Sequence, residues 1–113
     1  MRKSILEQYI QSQPEQLDSS LVMYLSQLEQ VASVSPKTAG LIVKELFDQR
    51  SYLKLIASEN YSSMAVQGAM GNLLTDKYAE GFPYHRFYAG CDNVDAIEQE
   101  AADAACKLFG AEH

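Results

Sequence analysis

A strand with no partner limits what this chain can fold into. "YLKLIASEN", residues 52–60, holds the one stretch that suits an extended segment, at Leu53, Leu55 and the χ1-restricted Ile56. A single strand has no hydrogen-bonded ladder and is not stable by itself. Every other patterned stretch is helical. Two alternatives follow: "LKLI" is not a strand, or its partners lie on another chain or on residues outside these 113. The expected fold class is mostly α with one short strand.

The helices show in the spacing of apolar residues. Residues 1–13 suit a weak, polar helix or a frayed tail, interrupted by Pro14. Residues 15–33 place Leu17, Leu21, Leu25, Leu28 and Ala32 on one face, widened by Tyr24 and Val31. Ser35-Pro36 starts a third helix, because serine caps well and proline lacks an N–H that would have no partner there. That helix should end near Arg50. Ser62 or Ser63 caps a fourth, from about Met64 to Leu74. Gly68 and Gly71 weaken it and suit close approach of another backbone. Their spacing fits neither the dinucleotide fingerprint nor a P-loop. Asp92 or Asn93 is expected to cap the last helix. Val94, Ile97, Ala101, Ala104, Ala105 and Leu108 form its expected buried stripe. Lys107 suits its negative end, and Gly110 its close.

Length and charge narrow the function. The 113 residues suit one small domain, and 47% apolar content argues against disorder. Nine Lys and Arg against fifteen Asp and Glu give a net charge of −6. The basic residues are spread singly, which disfavours a nucleic-acid surface. No apolar run reaches the length of a membrane span, and no apolar h-region follows the basic start. With no export signal, Cys91 and Cys106 are expected as reduced thiols in a cytoplasmic protein. Cys106 suits a small buried hydrophobe on the last helix. Cys91, Cys106, His85 and His113 lack metal-ligand spacing, so no metal is expected.

"YAEGFPYHRFYAG", residues 78–90, has no helical or strand period and five aromatic rings. Tyr78, Tyr84 and Tyr88 bring hydroxyls. Glu80 suits a general acid or base, His85 is of the residue type suited to proton exchange, and Arg86 suits a carboxylate or phosphate. Composition leaves two readings open: a functional site, or a surface loop pinned by its rings. Ser58, in the polar turn after "LKLI", is open in the same way, as a ligand contact or a turn cap.

The motifs "LIASEN", "KYAEG" and the aromatic pair before Gly90, in this order and separation, resemble the N-terminal part of serine hydroxymethyltransferases. The likeness runs from about Leu53 to His113. It implies residues 1–52 as a helical N-terminal extension and 53–113 as an N-terminal arm and the start of a large cofactor-binding domain. The implied architecture is the α/β fold of aspartate-aminotransferase-like (fold type I) enzymes. The implied activity moves a one-carbon unit between serine and tetrahydrofolate, leaving glycine, with pyridoxal 5'-phosphate as cofactor. The implied assembly is a homodimer with each active site built from both subunits. Whether dimers pair into a tetramer is open.

Position by position, the resemblance gives Ser58 to the amino-acid carboxylate and Tyr78 to the cofactor phosphate across the dimer. It gives Glu80 to proton handling near the substrate hydroxyl and folate. It gives Phe87 and Tyr88 to the wall of the substrate and folate pocket, with Tyr88 close to the Schiff base. Arg86 receives a positioning role. Two departures stand out. Phe87 replaces a more usual tyrosine, which removes a hydroxyl and keeps a ring face. Tyr84 follows Pro83 where the family has glycine, and neither Tyr84 nor His85 receives a role.

The family's phosphate-binding turn, ring-stacking histidine, pyridine-nitrogen aspartate, Schiff-base lysine and carboxylate-binding arginine match no motif before His113. These 113 residues alone are therefore expected to be inactive. The competing expectation is a free-standing helical module for interaction or dimerisation, or a non-functional remnant.

Overall fold

The computed structural model describes residues 3–113, which form two compact units, the first ending at Gln67 and the second Gly68–His113. The single small domain expected from length is thus two bodies.

The first unit is built from helices closed by their own side chains. Helix α1 (Ile5–Ser12) opens with a capping box: Ser4 Oγ accepts from the Glu7 amide, and Glu7 Oε2 accepts from the Ser4 amide. The N-terminal stretch is therefore a defined helix. It is tied to helix α2 (Ser19–Val34) twice: the Leu6 amide donates to Glu29 Oε1 at 3.0 Å, and the Asp18 amide donates to Tyr9 Oη at 3.0 Å. Asp18 also caps α2 through Oδ1. Ser35 ends α2 and starts helix α3 (Pro36–Ser51), with Oγ accepting from the Thr38 amide and Pro36 in the first turn. Buried Ala39 and the half-buried Leu25, Leu28, Ala32 and Val43 are the apolar seam. They line an open groove of about 390 Å³ with Ile5.

Leu53–Ile56 does not form the expected strand. It has no regular structure and pairs with no strand among the described residues, and Leu53 and Leu55 stand 90% and 88% exposed. Without a ladder to satisfy its amides, the stretch takes no regular structure in these residues, as both alternatives require. A turn follows, closed by the Glu59 amide on the Ile56 carbonyl.

Helix α4 (Met64–Met70) is capped by Ser63 but stops short of Leu74. Asn72 is the cause. Its Nδ2 donates to the carbonyls of Gly68 and Ala69, while its Oδ1 accepts from the Leu74 amide and starts a 3₁₀ turn over Leu73–Asp76.

The second unit holds the real strands, inside the stretch read from sequence as a loop. Strands β1 (Gly81–Phe82) and β2 (His85–Arg86) pair antiparallel, Gly81 with Arg86 and Phe82 with His85. Pro83-Tyr84 is the two-residue turn. Pro83 presets φ for its first position, and Tyr84 takes φ 62° at the second, the left-handed value a type II turn demands. Gly81 has φ 110°, and a Cβ there would sit 2.3 Å from the His85 carbonyl oxygen.

Helix α5 (Asp92–Phe109) departs from expectation at its start and on its face. Cys91, not Asp92 or Asn93, is the capping position, and it makes no side-chain cap bond. The acidic groups of the first turn, Asp92 and Asp95, still suit the positive helix end. The expected buried stripe is covered only at its start, where Val94 is half-buried: Ile97 is 48% and Leu108 76% exposed, Cys106 is half-buried, and the residue the helix buries is Asp95. Gly110 closes the helix at φ 64°, as expected.

Two substitutions test the hairpin. Tyr84→Gly removes the left-handed penalty of a side chain, about 1–2 kcal/mol, less about 0.5–1 kcal/mol for glycine's greater freedom when unfolded. The Phe87 amide should then exchange its hydrogen more slowly. Gly81→Ala forces a clash with backbone and should speed that exchange well beyond the change at Tyr84. The opposite order would exclude this turn geometry.

Candidate active site

Residues 77–91 form two arms zipped across the hairpin by contacts between defined pairs. Lys77 Nζ donates to the Gly90 carbonyl at 2.9 Å. The Tyr78 and Tyr88 rings meet edge to face at 6.5 Å and 83°. The Phe87 amide donates to the Glu80 carbonyl at 3.1 Å, and Tyr88 Oη donates to Glu80 Oε2 at 3.1 Å. Buried Cys91 places its thiol 3.6 Å from the carbonyls of Tyr78 and Tyr88. Both cysteines are free thiols.

The arms are fastened to α5 by one guanidinium. Arg86 Nη1 donates to the carbonyls of Ala79 at 2.7 Å and Gly81 at 3.2 Å. Its Nε donates to Asp95 Oδ1 at 2.7 Å, and Nη2 lies 2.8 Å from Glu98 Oε2, an ion pair off the line of a good hydrogen bond. The Arg86 and Asp95 side chains are 4% and 8% exposed. Glu98 first, then Asp95, raise the arginine pKa further above its ordinary value. The cation is permanent, and its donors face the chain's own acceptors. Arg86 therefore does not offer the free bidentate fork that composition allowed.

Four of the five expected site residues gather on these arms. Glu80 is exposed with its carboxylate under the Tyr88 hydroxyl. This is a carboxylate with one oxygen oriented by a phenol and the other open to a ligand proton. Tyr78 is 77% exposed, and its hydroxyl enters no hydrogen bond among the described residues, which leaves it free to donate to a ligand. Phe87 is 80% exposed and offers a bare ring face. Ser58 stands in the first unit, exposed, in the turn after Ile56. Tyr84 and His85 form the hairpin tip.

The Asp95 contact escaped sequence reasoning. Its carboxylate lies nine residues from Arg86 across a helix start, a separation no periodic rule couples. The one available signal was an acidic residue on the helix face beside the apolar stripe, at Val94 and Ile97. Among the described residues, no three His, Cys, Asp or Glu gather as a metal site, and no helix is long and apolar enough to cross a membrane.

The comparisons extend the resemblance. A family model described as serine hydroxymethyltransferase matches residues 31–113, starting well before Leu53. The serine hydroxymethyltransferase of Treponema pallidum (strain Nichols) is 62% identical over 114 residues, covering all of this chain and 20% of the relative. That of Chlamydia trachomatis serovar D is 53% identical over 111 residues, and that of Chlamydia pneumoniae 49% over 111, each covering 96% of this chain and 22% of the relative. The chain spans about a fifth of the length of these curated relatives. Residues 1–30, outside the family model, are aligned in the Treponema relative too. Motifs, family model and relatives agree: this chain belongs to the serine hydroxymethyltransferase family.

Proposed function

We propose that this chain is the N-terminal segment of a serine hydroxymethyltransferase of fold type I, interconverting serine and glycine with transfer of the one-carbon unit to tetrahydrofolate. Residues 1–52 are the helical extension, and 53–113 the arm and the start of the cofactor domain. The observation that carries the reading is the Tyr88–Glu80 hydrogen bond on an exposed arm, inside the stretch that matches the family. A free-standing module gains nothing from a presented carboxylate–phenol pair. The bare stripe of α5 and the exposed rings of Tyr78 and Phe87 also fit a segment that works against further protein surface.

The roles follow from the side chains. When bound, pyridoxal phosphate supplies an electron sink for bond cleavage next to the amino-acid nitrogen. Tyr78 donates its hydroxyl to a phosphate oxygen of that cofactor in the partner subunit of a homodimer. Glu80 holds or moves the proton of the substrate hydroxyl at its carboxylate, and Tyr88 fixes which oxygen faces the substrate. Phe87 covers the folate ring with its face, lacking the hydroxyl a tyrosine would add. Ser58 donates to the substrate carboxylate. The working protein is cytoplasmic with reduced thiols. These 113 residues alone are inactive because the anchoring lysine matches none of theirs.

Glu80→Gln in the full-length protein should cut folate-dependent serine cleavage by about a hundredfold or more, with cofactor affinity retained. Unchanged kinetics would remove the proton role. Tyr78→Phe should instead weaken cofactor binding about tenfold, as loss of one hydrogen bond to a charged group does; an equal Kd by equilibrium titration excludes the phosphate contact. The isolated 113 residues, mixed with pyridoxal phosphate and reduced with borohydride, should give no stoichiometric adduct at a single lysine by mass spectrometry.

A further inference from the structure

We propose that Arg86 is a positioning residue for the Glu80–Tyr88 pair, coupling its placement to helix α5; this rests on the functional reading above for what Glu80 does. Arg86 holds the carbonyls of Ala79 and Gly81, the residues on either side of Glu80. Glu80's own carbonyl is held by the Phe87 amide, next to Arg86 in the chain. Three consecutive peptide oxygens around Glu80 are thus fixed by two neighbouring residues of the opposite arm. The far side of the guanidinium is fixed in turn by Asp95 and Glu98, one turn apart on α5. A displacement of the α5 start moves Arg86, and Arg86 carries residues 79–81 with it.

Two features separate this role from ligand binding and from mere stapling. The Arg86 side chain is 4% exposed and its donors face the chain's own oxygens, so no substrate anion reaches it. The contacts also converge on the one arm residue with an exposed carboxylate, while the hairpin tip at Tyr84 receives none. Only a planar fork serves carbonyls on one edge and carboxylates on the other. A lysine ammonium is a point charge and satisfies one side at a time.

The test uses Arg86→Lys in the full-length protein, alone and with Glu80→Gln. Arg86→Lys should lower kcat about tenfold or more and leave KM for serine within about twofold, because misplacement acts on the proton transfer. In the Glu80→Gln background the same change should cost less than about twofold, since the group it positions is already gone. Hydrogen exchange at the Phe87 amide should rise about tenfold with the α5 amides unchanged. A kcat within twofold of the parent, an equal penalty in both backgrounds, or unchanged exchange at Phe87 overturns the proposal. The exchange measurement needs no turnover. If the unsubstituted protein does not cleave serine, the functional reading falls while the clamp is still decided. If Arg86→Lys does not fold, Asp95→Asn keeps the carbonyl contacts and weakens the α5 anchor. It should shift kcat and Phe87 exchange the same way by less, and additivity with Glu80→Gln overturns the proposal there too.

Discussion

The Arg86–Asp95 ion pair is the contact on which the second unit depends. Both side chains are withdrawn from water; Asp95 would be an uncompensated buried charge without Arg86, and Arg86 would keep only the half-exposed Glu98. Such a pair is weak evidence for net stability, but its geometry is narrow and few arrangements satisfy it. Here it fixes where the hairpin meets α5. It also explains the start of that helix. Asp95, in the first turn, is committed to Arg86, and Cys91 takes the capping position with its thiol against the Tyr78 carbonyl.

The two units are held together by different means. The first relies on helix caps and an apolar seam, with Ser4, Asp18 and Ser35 each satisfying amides that a helix end leaves open. The second has almost no apolar interior. Cys91 is its buried apolar residue, and its order comes from directed polar contacts across a hairpin with two residues in each strand. Hydrogen bonds and ion pairs define geometry more sharply than apolar packing does. That suits an element whose proposed task is to hold a carboxylate and a phenol 3.1 Å apart.

Local rules made the helical elements legible. Ser35-Pro36 marked the α3 start, the leucine spacing marked α2, and Gly110 marked the α5 end. Leu53–Ile56 misled because β-branching and leucine content describe a pleated surface, and only a partner turns that into a strand. The true strands are too short to show a period of two. Asn72 ended α4 early by bonding backward and forward at once, which propensity does not encode. For the site, residue types and resemblance singled out Tyr78, Glu80, Phe87 and Tyr88. That Glu80 and Tyr88 touch depends on the hairpin register, which rests on Gly81 and an unexpected left-handed Tyr84. Arg86 was legible as a charge but not as a strut, because its partner lies across an element boundary.

The bare stripe of α5 has a consequence for synthesis. Helices α1 to α3 contact near neighbours in sequence and can close as they leave the ribosome. The stripe through Ile97 and Leu108, with exposed Phe109 beside it, has no such neighbour. A polypeptide of the Chlamydia relatives' length has about 390 residues still to come after this stretch, roughly 20–80 s at about 5–20 residues per second. For that interval the nascent chain presents an amphipathic helix with nothing over it, the kind of surface that chaperones cover.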